Sequence, residues 1–322
     1  MIVITGAEGF IGSCLVSLLN QHQYHDLVLV DDFGAVKDRE KNLVGKIFSH
    51  KIDRVDFPEW LKKQANLVQF VFHIGARTDT TEKDEEIFKV LNLDYSKQLF
   101  RTCTEEGIPF VYASSAATYG NGEQGYEDKE DIQATLQPMN PYGRSKNDFD
   151  KWVLAQTERP YFWAGLKFFN VYGPNEYHKG RMASVILHAF KQIKETGEVQ
   201  LFQSHRSDYK DGEQKRDFIY VKDLCEVCLF LMQHRKDSGL YNLGTGTART
   251  WNDLSAAIFK GLDLPVQIKY RPIPEDIRDT YQYFTEATME KLRSIGYNKP
   301  FTTIEDGVGE YVRDYLNKQV YY

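Results

Sequence analysis

The chain has 322 residues, 42% of them hydrophobic, which is ample for one large core or two adjoining ones. A net charge of -6 argues against nucleic acid as a partner, because proteins of that class carry a basic surplus. Four cysteines are too few for a disulfide scaffold, and no apolar run approaches the roughly 18 residues that a membrane span needs.

Met1 to Thr5 has neither a basic region nor a long apolar stretch, so it reads as a strand rather than a secretory signal, and a cytoplasmic location is expected. A helical pattern runs from Ile11 to Leu19. Between strand and helix, Thr5-Gly6-Ala7-Glu8-Gly9-Phe10-Ile11-Gly12 spaces three glycines as G-x-x-G-x-x-G. Gly6 permits a tight turn, Gly9 lets the backbone approach a pyrophosphate, and Gly12 lets the helix pack on the strand. The free N–H groups at the helix start attract that anion. A second run, Leu27 to Val30, ends at Asp31 and Asp32, where an acid can hydrogen-bond the ribose of a dinucleotide. Lys37, Arg39 and Lys41 lie just beyond and could attract a 2′-phosphate, so both NAD and NADP remain open.

Further apolar runs follow at Val68–His73, Phe110–Ala113 and Trp163–Phe169. A helix between the first two carries Tyr95, Leu99, Phe100 and Cys103 on one side, and another runs from about Tyr142 to Gln156. Short apolar runs separated by helices predict an α/β fold, a doubly wound parallel sheet covered on both faces. Residues 1–172 are expected to form the dinucleotide-binding Rossmann domain, with later segments free to return to it, and 173–322 mainly a smaller α/β substrate-binding domain. Ser204 to Gln214 reads as an exposed loop, and Thr250-Trp251-Asn252-Asp253 has capping-box spacing.

Tyr142 and Lys146 are four residues apart, on one side of a helix. A phenol is a poor base at neutral pH, and a neighbouring ammonium favours the phenolate. Tyr142 could then take a hydroxyl proton while hydride leaves the same carbon. The run Ser114-Ser115-Ala116-Ala117-Thr118-Tyr119-Gly120 ends the Phe110 strand, and ligands of open α/β sheets sit at that end. Ser115 is therefore a candidate to hydrogen-bond the reacting oxygen.

Together with Phe169-Asn170-Val171-Tyr172-Gly173-Pro174, Lys215 to Asp223 and Tyr241 to Gly246, these motifs resemble the extended short-chain dehydrogenase/reductases, among them nucleotide-sugar epimerases and dehydratases. The segment Tyr177-His178-Lys179-Gly180-Arg181-Met182-Ala183-Ser184, the Thr280 to Thr285 stretch and Gly296 to Phe301 are similar to those of ADP-L-glycero-D-manno-heptose 6-epimerases. The resemblance implies inversion at C6″ of an ADP-heptose for lipopolysaccharide core assembly, with NADP, or alternatively NAD, held as a hydride store. It implies Tyr142 and Lys179 as two acid/base groups, supported by Lys146 and Ser115. Cofactor contacts are implied for Gly6, Gly9, Phe10, Ile11, Gly12, Asp31 and Asp32, and for Arg39 and Arg54, which stand where the family has lysines. Ile74, Gly75, Ala76, Arg77, Thr78, Asn92, Lys146, Val171 and Lys179 complete that set. Contacts to the nucleotide sugar are implied for Ser115, Asn170, Arg181, His188, Phe202, Gln203, Ser204, His205, Arg216 and Tyr281. A homo-oligomer, a homopentamer in the family, is implied as well.

Arg181 departs from the family, which has a small residue there, and Asp32 stands where asparagine is common. The alternatives are another nucleotide-sugar epimerase or dehydratase and a non-catalytic NAD(P)-binding scaffold or sensor. A dehydratase would want acids where Ser115-Ala116 stands, and scaffolds usually lose the Tyr or the Lys. Cys225-Glu226-Val227-Cys228 falls on a helical apolar stripe with no second pair, so it reads as core packing, and no metal site is assigned.

Overall fold

The computed structural model describes residues 1–278 and 281–322. Strands β1 (Ile2–Thr5), β2 (Leu27–Asp31), β3 (His50–Asp53), β4 (Phe70–His73), β5 (Phe110–Ser115) and β6 (Trp163–Phe168) alternate with helices. These are α1 (Phe10–Gln21), α2 (Phe57–Gln64), α3 (Glu85–Phe88), α4 (Tyr95–Glu105) and α5 (Pro141–Ala155). Then come β7 (Asn170–Tyr172), α6 (Val185–Thr196), β8 (Val199–Phe202), β9 (Lys215–Tyr220), α7 (Val221–His234), β10 (Gly239–Leu243), β11 (Ala248–Thr250), α8 (Trp251–Gly261) and β12 (Ile268–Arg271). No described helix is long and apolar enough to cross a membrane.

The main sheet has seven strands in the order β10-β6-β5-β4-β1-β2-β3, and every pairing in it is parallel. Its strands other than the edge strand β3 are buried on both faces, which is why most of them read as apolar runs. Ile4, Leu29 and Phe72 pack with Leu15 and Leu19 of α1 and Leu224 and Cys228 of α7. Val3, Val28 and Val71 pack on the other face with Leu61 of α2, Phe100 of α4 and Phe149 of α5. Cys225 and Cys228 are buried in the core, as their helical spacing suggests.

Two strands escaped the sequence pattern. β3 lies at the sheet edge and is half exposed, so His50-Lys51-Ile52-Asp53 lacks an apolar run. β10 pairs with β6 from residue 239 onward, so the sheet is completed by a segment well past residue 172.

Beside the sheet lie a three-stranded sheet, β11-β9-β7, and a two-stranded one, β12-β8. The chain reverses direction across the sheet between β1 and β4, the point where such folds open a crevice. There the Thr5 hydroxyl and His73 Nδ1 lie 2.8 Å apart, and the Gly75 N–H donates to the same hydroxyl at 3.1 Å.

Candidate active site

The glycine turn joins β1 to α1 as its spacing requires. Gly6 has φ +68°, and a Cβ there would stand 2.6 Å from Gly75 Cα. A Cβ on Gly12 would stand 2.1 Å from the Gly6 carbonyl oxygen, so only hydrogen fits between helix and turn. Gly9 is the N-cap of α1 and provides no side-chain cap, leaving the first N–H groups available to an anion. Phe10 and Ile11, in that first turn, line a cavity of about 350 Å³. These features fit a dinucleotide pyrophosphate.

The same cavity gathers residues from five further segments. Ile74, Ala76 and Thr78 reach it from the loop after β4, Ser115 from the end of β5, Tyr142 and Lys146 from α5, and Asn170 and Val171 from β7. Lys179 and Met182 come from the turn Tyr177–Met182. Asn140 caps α5 by accepting the Gly143 N–H, with Pro141 in the first turn, which fixes where Tyr142 begins to project.

Burial holds the Tyr142 phenol above its ordinary pKa, and the neighbouring Ser115 hydroxyl opposes that. Lys146 lines the cavity together with Tyr142. Its ammonium donates to the Ala113 carbonyl at 2.7 Å, and burial lowers its pKa to about 8 against the pull of Asp150. Burial also lowers the Lys179 pKa, with Glu176 opposing, and the Lys179 ammonium lies 5.2 Å from the centre of the Phe10 ring. A phenol held above and an ammonium held below their ordinary pKa values thus face one cavity, two groups able to exchange protons with a bound substrate.

The remaining expected residues take several positions. Asp31 accepts the Glu8 N–H at 2.9 Å and an Arg39 N–H at 2.6 Å, and Arg39 also donates to Glu8 at 3.2 Å. Arg54 pairs with Asp32 at 3.0 Å. Asn92 does not line the cavity; its amide is spent on the Arg77 backbone and on Ser145, so it braces the wall. Arg181 points away to an ion pair with Asp79 at 2.8 Å, and His188 is exposed on α6.

Phe202, His205, Arg216 and Tyr281 form a second group. The Phe202 and Tyr281 rings are 5.9 Å apart, and Tyr281 and Tyr283 are 5.6 Å apart. The Tyr283 hydroxyl lies 2.9 Å from His205 Nδ1, and the Arg216 guanidinium lies between Tyr281 and Trp251. Gln203 and Ser204 are held by backbone hydrogen bonds to Arg271 and Asp211. Thr280, the first residue of one motif, lies outside the described residues. Trp251, read from sequence only as a helix start, lines the cavity with Phe218 and Leu254 and links the two groups. The predicted capping box at Thr250 and Asp253 is present and sets Trp251 at the start of α8.

The sequence pattern of the NAD dependent epimerase/dehydratase family matches residues 2–244. The chain belongs to that family. A Fusobacterium nucleatum protein named ADP-L-glycero-D-manno-heptose-6-epimerase is 45% identical, over 99% of this chain and 99% of its own. One of the same name from Nitratidesulfovibrio vulgaris is 47% identical over 98% of each chain. The crystal structure of the Helicobacter pylori ADP-L-glycero-D-manno-heptose-6-epimerase has a TM-score of 0.80 at 29% identity, covering 97% of this chain and 95% of that one. A UDP-N-acetylglucosamine 4-epimerase from Methanobrevibacter ruminantium shares the fold, with a TM-score of 0.80 at 23% identity over 98% of each chain. The glycine turn lies at the sheet's switch point, and the cavity opens at the strand ends beside it.

Proposed function

We propose that this epimerase inverts C6″ of ADP-D-glycero-β-D-manno-heptose to give the L-glycero epimer, without net redox change. The observation that carries the reading is the convergence of Tyr142, Ser115 and Lys179 on one cavity that begins at the Phe10-Ile11 turn. The full-length relatives of that name support it. Residues 1–172 with the returning β10 hold the cofactor, and most of 173–322 holds the sugar nucleotide.

A dinucleotide held at the Phe10-Ile11 turn would supply the nicotinamide as hydride acceptor and donor for C6″. In the forward direction Tyr142 accepts the C6″ hydroxyl proton, with Ser115 holding the oxygen. The substrate is then a C6″ ketone. Rotation about the exocyclic C5″–C6″ bond presents its other face and swings the oxygen towards Lys179. The Lys179 ammonium supplies the proton as the C–H bond re-forms, and the roles exchange in reverse. Arg216, Phe202, His205 and Tyr281 suit the diphosphate and its base, with the guanidinium donating two parallel hydrogen bonds.

NADP is the cofactor proposed, with NAD admitted by the same site. Arg39 and Arg54 offer cations to a 2′-phosphate, while Asp31 and Asp32 offer acceptors to an unphosphorylated ribose. A cytoplasmic homo-oligomer is proposed as the working form. The deciding experiment incubates the purified protein with ADP-D-glycero-β-D-manno-heptose and follows the C6″ configuration by NMR. Appearance of the L-glycero epimer is expected; an unchanged substrate would sink the reading.

A further inference from the structure

Two segments of the cavity wall, 102 residues apart in sequence, touch each other at neighbouring points. The loop after β4 brings Thr78 to the cavity, and the turn Tyr177–Met182 brings Lys179 and Met182. The Arg181 guanidinium donates to the Asp79 carboxylate at 2.8 Å, and the Thr80 hydroxyl lies 4.0 Å from the Met182 sulfur. Asp79 directly follows Thr78 and Arg181 directly precedes Met182, so the ion pair joins the two walls just outside the residues that line the cavity. The Arg181 side chain is 66% exposed and that of Asp79 18%, which puts the pair at the solvent edge of the wall.

The Asp79 carboxylate is oriented for this contact. Its Oδ1 accepts the Thr81 N–H at 3.0 Å and the Thr81 hydroxyl at 2.8 Å, which leaves Oδ2 to Arg181. Arg77 stands 3.8 Å from the same Oδ2. Residues 74–84 form neither helix nor strand, and the facing turn contains Gly180 at φ 52°. Each loop therefore takes its position from side-chain contacts such as these rather than from a backbone ladder.

We propose that the Asp79–Arg181 ion pair is a clasp across the rim of the cavity, holding the loop after β4 against the turn of Lys179 and so retaining the dinucleotide from one turnover to the next. Such retention rests on the reading above, in which the cofactor is reduced and reoxidised in place and need not leave. Parting the two loops breaks the pair and returns both charges to water. An exposed pair adds only modestly to the barrier for release, and salt screens it. Asp79 and Arg181 are positioning residues, since each acts through the other and through the loop it sits on.

Release is measured directly. The purified protein is loaded with NADPH, whose fluorescence reports the bound state, and chased with excess NADP+ in a stopped-flow instrument; a parallel run uses NADH and NAD+. Asp79→Asn, which keeps an acceptor for Thr81, and Arg181→Ser should each release the reduced dinucleotide about 2- to 5-fold faster than wild type at low ionic strength. The double variant should be no faster than the faster single one, because each substitution already breaks the same pair. At about 1 M NaCl wild type should approach the variants. Unchanged release in both single variants overturns the proposal. So does a double variant in which the two effects multiply, the mark of unrelated surface changes, or a difference that persists undiminished at high salt. Faster release in the variants of a protein whose wild type fails to invert the heptose supports the clasp and discards the catalytic reading alone.

Discussion

The Lys167 ammonium lies 3.1 Å from the Asp150 carboxylate, and neither side chain has any exposed surface. Asp150 also accepts hydrogen bonds from the Tyr112 and Ser114 hydroxyls at 2.9 and 2.7 Å, and Lys167 donates to the Thr118 hydroxyl at 2.7 Å. The network ties α5, one turn past Lys146, to the ends of β5 and β6, and so holds Ser115 opposite Tyr142. Removing one partner leaves a buried charge uncompensated. Asp150→Asn or Lys167→Met is expected to cost about 3–5 kcal/mol. Urea unfolding of each variant against the wild type checks this; a loss under about 1 kcal/mol would show that the charges are not acting as a pair.

Tyr142 and Lys179 handle protons from different elements of one cavity, so neither should replace the other. Tyr142→Phe and Lys179→Met are each expected to lower the rate of heptose inversion by at least about 100-fold. Neither removes a group of the glycine turn, so dinucleotide affinity should stay within a few-fold. Inversion kinetics by NMR and dinucleotide titration by calorimetry separate the two effects. Wild-type turnover in Lys179→Met would refute the two-base assignment.

Arg39 is claimed by Glu8 and Asp31 together, so a 2′-phosphate must compete for it. Glu8→Gln removes one competing charge and leaves Asp31 to support the turn. The affinity for NADP relative to NAD is expected to rise about tenfold, as for release of one charge-assisted hydrogen bond. Titration with both dinucleotides at fixed ionic strength measures the ratio, and an unchanged ratio would mean that Arg39 does not meet the 2′ position.

His73 carries a pH dependence that can be signed. The Ser96 hydroxyl donates to the Asn92 carbonyl, so His73 Nε2–H donates to Ser96 and Nδ1 accepts from Thr5. Burial, helped by Lys146, lowers the His73 pKa from 6.5 to about 3. Below pH 6.5 the unfolded chain takes up a proton that the native state refuses, so stability is full above that value and falls as pH drops. The slope from this group approaches about 1.4 kcal/mol per pH unit. Between about pH 6.5 and 5, His73→Gln should lower stability overall and flatten its decline with acid. Urea unfolding at stepped pH tests this, and an equally steep decline in the variant would assign it to other groups.

Much of this protein is written locally. The glycine turn, the Tyr142–Lys146 spacing and the capping box at Thr250 depend on neighbours within a few residues, and five of the seven sheet strands are apolar runs because both faces are covered. β3 and β10 are set by other means: an edge strand needs no apolar pattern, and a strand that returns 70 residues after β6 ends owes its place to β6. Tertiary structure alone decides which cation faces which anion. Arg39 and Arg54 look like free phosphate ligands in one dimension, and folding commits both to carboxylates. Lys146 stands one turn beyond Tyr142 and donates to the Ala113 carbonyl, while Ser115, brought by another strand, lines the same cavity as the phenol. Asp150 acquires meaning only through burial, which strips its water and makes each neighbouring charge count.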